Sequence, residues 1–106
     1  AKDIARSRDI NCEIENLEYT RAVHLSPAIM DIIASSCKKL DIEAMSMSSR
    51  AVHDTSHIAQ IVDSGMIFVP SVDGKSHSPD ELSHWDDIEV GLNVLYDVIL
   101  SLANDQ

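Results

Sequence analysis

Two segments of the chain carry apolar residues at the three- and four-residue spacing of an amphipathic helix. The first starts at Ser26, a good N-cap, followed by Pro27, which is favoured at the first helical position. Its apolar stripe consists of Ile29, Ile32, Ile33, Cys37 and Leu40. The stripe of the second segment consists of Trp85, Ile88, Leu92, Leu95, Ile99 and Leu102. The pattern predicts a helix that ends near Leu40 and a longer final helix that begins around Ser83.

Three other segments have the patterning of short strands. Residues 10–19 alternate between apolar and polar positions, and residues 43–47 alternate in the same way. Residues 66–69 form an apolar run that is long enough for a buried strand and too short for a helix. Pro70 ends this run because it has no N–H to donate to a sheet ladder. The sequence therefore predicts three strands.

Two further helical segments complete the predicted order. Residues 2–8 are predicted as the last turns of a helix, so the chain is expected to be a fragment that begins in mid-helix at Ala1. Residues 51–62 are predicted as a loop that turns into a short helix with three inward-facing residues, which are Ile58, Ile61 and Val62. Because helices and strands alternate along the chain, the sequence predicts an α/β fold with helices packed on a short, mixed and partly parallel sheet.

The composition limits the size of the protein and the classes of partner. With 106 residues, 44% of them hydrophobic, the chain is long enough for one modest domain. Acidic residues outnumber basic ones by 18 to 8, which gives a formal net charge of −10. Binding to nucleic acid or to an anionic membrane needs clustered Lys and Arg, and Lys38-Lys39 is the only basic pair in the sequence. These two partner classes are therefore excluded, and the acidity is interpreted as promoting solubility.

The two cysteines indicate the compartment. Cys12 and Cys37 are far apart in the sequence and form neither a CxxC nor a Cys/His metal motif. We interpret them as free, buried thiols in a reducing compartment, which predicts a cytoplasmic protein. No apolar run approaches the roughly 20 residues that a membrane-spanning helix needs.

The stretch from Gly65 to Glu81 is the first candidate for chemistry. It places His77 shortly after the predicted strand at 66–69, between Ser76 and Ser78 and close to carboxylates. A loop histidine in an ordinary turn is the simpler interpretation of this residue. A serine hydrolase is disfavoured because the sequence has no GxSxG elbow and no plausible oxyanion loop.

His53 and His57 form the second candidate. On a helix their spacing would place both rings on one face, where they could chelate a metal ion. Asp54 replaces the glutamate of an HExxH motif and no third ligand is near, so a solvent-facing His57 is favoured. His53 differs because it lies at a predicted strand-to-helix transition, where side chains project from the edge of a sheet.

Three stretches taken together resemble one family of hydrolases. They are SRAVHD at 49–54, GMIFVPSVDGKSHSPDE at 65–81, and the start of the last helix at Trp85 with Gly91 and Val94-Leu95. They are similar to the C-terminal end of hydantoinase/carbamoylase-type metal-dependent amidohydrolases, which include N-carbamoyl-L-amino acid hydrolases and allantoate and ureidoglycolate amidohydrolases. The resemblance covers roughly residues 20–104 and is most specific in the SHSP.E segment.

The resemblance implies roles for three residues. His77 matches the histidine of SHSP.E, which in the family is a ligand to one of two adjacent metal ions, usually zinc or manganese. His53 matches the histidine of the HD motif, which holds the substrate or polarises the scissile group, and Asp54 beside it is implied as an orienting residue. Many members have SGAGHDA here, whereas this chain has the SRA.HD form of ureidoglycolate-type relatives, so the substrate is left open.

The resemblance also implies that much of the enzyme lies outside this sequence. The other metal ligands, and the glutamate that activates the bridging water, belong to an N-terminal part. Residues 1–19 would be a remnant of an inserted dimerisation domain, and residues 20–106 the C-terminal part of a zinc-exopeptidase-like catalytic domain. The implied protein is a homo-oligomer that acts on small carbamoyl or ureido compounds. This chain alone would be inactive, because a catalytic zinc needs about three protein ligands. The alternative is a stand-alone α/β module for binding or oligomerisation, without catalysis.

Overall fold

The structure is a computed structural model, and it describes residues 1–17, 19 and 21–104. Its elements are α1 Lys2–Ser7, α2 Pro27–Lys39, α3 Asp54–Ile58, a single 3₁₀ turn Val72–Gly74, and α4 Trp85–Asn104. The predicted helices at both ends and in the centre are confirmed, and Ser26 is the N-cap of α2 as expected. Across the described ranges, no helix combines the length and the hydropathy needed to span a membrane.

The end of α2 is fixed by a Schellman motif that contains no glycine. Asp41 follows the C-cap with a φ of 58°, in the left-handed region, and its N–H donates to the carbonyl oxygen of Lys38. The N–H of Ile42 donates to the carbonyl oxygen of Cys37 at 2.9 Å. Ile42 also packs against the core cluster that contains Cys37, which is the apolar contact that accompanies this motif. The chain therefore turns sharply after α2 and returns to its buried face.

A small core lies between α2 and α4, which pack against each other. Among the described residues, its buried apolar side chains are Cys37, Val94 and Val98. Four partly buried isoleucines surround them, at positions 32, 33, 42 and 67. Ile67 belongs to the apolar run at 66–69, so this run contacts the core although it is not a strand.

The buried face of α4 differs from the predicted one. The predicted stripe is largely exposed, with 82% of Trp85 and 61% of Leu92 accessible to solvent, whereas Val94 and Val98 are buried. The buried positions each precede a predicted position by one residue, so the buried face is rotated by about 100° around the helix axis from the predicted face. α4 is thus apolar on two adjacent faces, and the face that carries Gly91 packs inward because a glycine permits close approach of the chain. We call the exposed face, made of Trp85, Ile88, Leu92, Leu95, Ile99 and Leu102, the outer stripe.

The close approach at Gly91 leads to a first prediction. A Cβ atom at this position would lie 2.5 Å from Cγ1 of Val69, which belongs to a stiff, β-branched side chain. In the full-length protein, Gly91→Ala is expected to cost about 1–3 kcal/mol through overpacking. The helix-propensity gain of roughly 1 kcal/mol is smaller than most of this range, and the 2.5 Å contact with a stiff side chain places the cost in its upper part, so urea unfolding should show a net loss of stability.

Two further variants separate the steric effect from other effects of alanine. Asn93→Ala, at an exposed position of the same helix, should change the free energy of unfolding by less than about 0.5 kcal/mol. Val69→Ala removes the clashing methyl group, so Gly91→Ala should be tolerated in that background. Equal destabilisation by Gly91→Ala with and without Val69 would contradict the proposed contact.

The predicted mixed sheet is wrong for the described part of the chain. Residues 10–19, 43–47 and 66–69 contain no assigned strand, and Glu18 lies outside the described residues. A strand needs a neighbouring strand to pair its backbone groups. Residues 43–47 and 66–69 make no backbone hydrogen bond to other described backbone groups. The period-two pattern at 43–47 is therefore present without a partner strand among the described residues.

The molecule exposes much more surface than a compact domain of its size. Its accessible surface is 9310 Å², whereas a compact monomer of this mass exposes about 5900 Å². The residues predicted to face inward at and just after the end of α3 contribute to this excess: Ile58, Ile61 and Val62 are 50%, 82% and 55% exposed. That prediction is wrong, because α3 ends at Ile58 and packs on no other helix in the described residues.

A salt bridge links the two core helices. Nζ of Lys39 lies 2.5 Å from Oδ1 of Asp97. The hydrogen bond from Lys39 lowers the pKa of Asp97, and the hydroxyl of Ser36 contributes in the same direction. Since the pKa of Asp97 is lower in the folded state, this pair stabilises the fold at neutral pH. The contribution is lost as the pH falls through the lowered pKa.

Candidate histidine site

His53 is positioned by the turn that precedes α3. It is the N-cap residue of α3 and has an extended backbone, with φ −129° and ψ 156°. Its ring is half-buried, and Nε2 lies 2.6 Å from Oγ of Ser49, which is a short hydrogen bond. The side chain is therefore held against the preceding turn and does not cap the helix.

His77 lies in a loop whose two ends are tied together. The N–H of Val72 donates to the carbonyl oxygen of Leu82 at 2.8 Å. Within this loop, His77 has a φ of 54°, a left-handed conformation that costs a non-glycine residue about 1–2 kcal/mol. The N–H of His77 donates to Oε2 of Glu81 at 2.7 Å, and this charge-assisted bond helps to offset the cost. The loop thus fixes the backbone that carries the imidazole.

The fold brings the two candidate histidines together. The ring centroids of His53 and His77 are 5.4 Å apart, with the planes nearly perpendicular at 87°. Phe68 lies on the ring of His53, and the centroids of these two rings are 5.7 Å apart. Three segments that are distant in sequence therefore meet at one place, which we call the histidine site.

The other residues singled out from the sequence lie differently. Asp54 is exposed as the first residue of α3. Among the described residues, the side-chain hydrogen bond of His53 goes to Ser49, and the orienting role of Asp54 stays a prediction. His57 is exposed, as expected. Cys37 is buried in the core as predicted, whereas Cys12 is only half-buried.

The described residues do not by themselves complete a metal site. Nowhere in residues 1–17, 19 and 21–104 do three or more His, Cys, Asp or Glu side chains gather in a metal-binding arrangement. Since a catalytic zinc takes about three protein ligands, two imidazoles at the histidine site are too few. The residues present fit one part of a ligand set.

One open concavity of the molecule lies away from the histidine site. It is an open depression of about 600 Å³ near the start of α2, lined by residues such as Leu25, Met30 and Val62. Neither His53 nor His77 lines it. Within the described residues the histidine site is open to solvent on one side, because His77 is exposed and 45% of Phe68 is accessible.

Sequence reasoning placed Glu81 near His77 without its hydrogen bond, and it missed the roles of Ser49 and Phe68. Ser49 and Glu81 are each four residues from the histidine that they hydrogen-bond, so both contacts are local in sequence. Phe68 lies in the apolar run that the pattern assigned to a buried strand, yet 45% of it is exposed. The four-residue spacings from Ser49 to His53 and from His77 to Glu81 were the available sequence signal for these two hydrogen bonds.

The chain matches known proteins along almost its whole length. Residues 5–101 match the family described as peptidase family M20/M25/M40. An N-carbamoyl-L-amino acid amidohydrolase of Geobacillus stearothermophilus is 37% identical over 100% of this chain and 26% of its own length. A ureidoglycolate hydrolase of Arabidopsis thaliana is 36% identical over 99% of this chain and 22% of its own length. An allantoate amidohydrolase of Escherichia coli strain K12 is 28% identical over 94% of this chain and 24% of its own length.

These matches define both the relationship and its extent. The chain spans about a quarter of the length of the curated relatives it matches. The family match nevertheless includes α2, α3, the loop of His77 and most of α4. The chain therefore belongs to the peptidase M20/M25/M40 family.

Proposed function

We propose that this chain is the C-terminal part of a metal-dependent amidohydrolase that cleaves carbamoyl or ureido C–N bonds. The substrates would be small N-carbamoyl amino acids or allantoate-like compounds. The observation that carries the proposal is the meeting of His53 and His77, with ring centroids 5.4 Å apart, in a chain whose relatives are named for this chemistry. Residues 20–106 would belong to the catalytic domain, and residues 1–19 to the inserted dimerisation domain.

The two histidines would have different tasks in the complete enzyme. His77 would be a ligand to zinc or manganese, because its backbone is fixed by Glu81 and its ring is exposed for further ligands to approach. His53, with Asp54 beside it, would contact the substrate, because Ser49 already holds the ring in place. When bound, the metal would supply activation of water. The remaining ligands and the catalytic glutamate would come from residues outside this chain.

The complete enzyme would be a homo-oligomer in the cytoplasm. The outer stripe of α4 supports extensive contacts with further protein, since exposed apolar patches of this kind mark interaction surfaces. The same stripe is the observation that favours the second candidate, a stand-alone module that associates with itself. Size-exclusion chromatography of the isolated chain distinguishes the two, because a stable self-assembled species without metal would favour the module.

The activity assay tests the main proposal directly. The full-length protein, loaded with zinc or manganese, should hydrolyse an N-carbamoyl-L-amino acid, allantoate or ureidoglycolate. The isolated chain should hydrolyse none of them and should not bind zinc stoichiometrically at micromolar concentration. Full-length protein that is loaded with metal and is inactive on all three substrates would overturn the proposal. Activity of the isolated chain would overturn the assignment of the missing ligands.

A further inference from the structure

We infer that Ser49 is a positioning residue that fixes the tautomer of His53. In this arrangement the neutral imidazole accepts a hydrogen bond at Nε2 and carries its proton on Nδ1. His53 then presents an N–H donor, and not a base, to whatever occupies the histidine site. That this donor contacts a substrate rests on the function proposed above, whereas the assignment of the tautomer does not.

The hydrogen bonds around Ser49 favour one direction for its bond to His53, and that direction corresponds to one tautomer of the ring. The N–H of Ala51 donates to Oγ of Ser49 at 3.2 Å, so this oxygen already accepts one bond. The hydroxyl proton has two possible acceptors, which are Nε2 of His53 at 2.6 Å and the carbonyl oxygen of Ala51 at 3.4 Å. Hydrogen bonds from hydroxyl groups are best near 2.7–2.8 Å, so the proton lies toward His53.

The turn that carries Ser49 holds the hydroxyl in this position. Arg50 has a φ of 58°, which folds the chain back so that the N–H of Ala51 reaches the side chain of Ser49. The serine oxygen is therefore held by its own turn and does not depend on His53 for its place. A hydroxyl fixed in this way can orient the ring that it contacts.

The neighbours of the ring restrict the alternative orientation. His77 meets the ring of His53 nearly edge-on and Phe68 lies at a tilt of 60°, so the ring is contacted from two segments. Flipping the imidazole would remove Nε2 from Ser49. The ring nitrogen that is not bound to Ser49 is Nδ1, and in the neutral ring it must carry the proton.

This assignment gives His53 a defined chemical task. A carbamoyl or ureido group presents a carbonyl oxygen, and an amino acid presents a carboxylate, and both accept hydrogen bonds. An Nδ1–H donor at the histidine site can hold either group or polarise the carbonyl. It cannot remove a proton from water, because the only unprotonated nitrogen is occupied by Ser49.

Nitrogen NMR of the full-length protein with ¹⁵N-labelled histidine tests the tautomer. For His53 in the neutral state, Nδ1 should have the chemical shift of a protonated nitrogen and Nε2 that of an unprotonated one. Ser49→Ala should remove this pattern, and Ser49→Thr, which keeps the hydroxyl, should restore it. Ser48→Ala, at the exposed neighbouring serine, is the matched control and should leave the pattern unchanged.

Kinetics on the same variants test the consequence for catalysis. Ser49→Ala should lower kcat/KM by about fivefold, the factor that one neutral hydrogen bond typically contributes, with bound metal unchanged. A wild-type ring protonated on Nε2, or the same tautomer in Ser49→Ala, would overturn the proposal even if activity falls. If the wild-type protein hydrolyses no tested substrate but shows the expected tautomer, the role of Ser49 stands and the proposed function fails.

Discussion

Replacing His77 with alanine in the full-length protein is expected to lower bound metal and turnover together, each by about a hundredfold or more. The reason is that an imidazole ligand contributes directly to metal affinity, and even its supporting partners affect affinity by about 10–100-fold. The fold should be nearly unaffected, because His77 is exposed and the loop ends are tied by Val72 and Leu82. Metal content by elemental analysis and kcat measured on the same preparation check both parts.

The matched control is a histidine of similar exposure close to the same loop. His84 immediately precedes α4 and is exposed, so His84→Ala should retain metal and activity. Unchanged metal content in His77→Ala would remove His77 from the ligand set.

Replacing His53 with alanine should separate catalysis from metal binding. We expect turnover to fall by about a hundredfold while the metal content stays at the wild-type level, because a positioned imidazole contributes about 10²–10⁴-fold to a reaction. The variant also leaves the hydroxyl of Ser49 without its closest acceptor, but Ala51 offers a second one. Steady-state kinetics and elemental analysis together give the result.

His57→Ala is the control for this second substitution. It lies on α3, one turn beyond His53, and is exposed, so its removal should change neither turnover nor metal. If His53→Ala loses the metal ion, the roles assigned to the two histidines are reversed. If both α3 variants lose activity equally, a structural effect on α3 is the simpler explanation.

The helices could be predicted from the sequence because their signals are local. Ser26 and Pro27 determine the start of α2 through the backbone conformations they favour, and the predicted end near Leu40 agrees with the structure. The three- and four-residue spacing identified α4, although it did not identify which face is buried. That choice depends on Gly91 and Val69, which are far apart in sequence and meet only in the tertiary structure.

The strands could not be predicted reliably because pairing is not a local property. The alternation at 43–47 indicates which side chains would face a core if the segment were a strand. A strand forms only where a second strand pairs with it. The histidine site also combines features that are local in sequence with features that depend on the tertiary structure. The resemblance singled out His53 and His77, whereas their separation of 5.4 Å follows from how the segments between α2 and α4 fold back. The bonds to Ser49 and Glu81 were within reach of local reasoning and were missed.

The two apolar faces of α4 also define how this chain could be converted into an independent scaffold. Leu92, Leu95 and Ile99 are all more than 40% exposed, whereas the contact with α2 is made through Val94 and Val98. Charged helix-forming residues such as Glu and Lys could therefore replace the outer stripe without altering the buried face. A small, soluble protein that carries the histidine site could be engineered by substituting the exposed apolar residues on one face of a single helix.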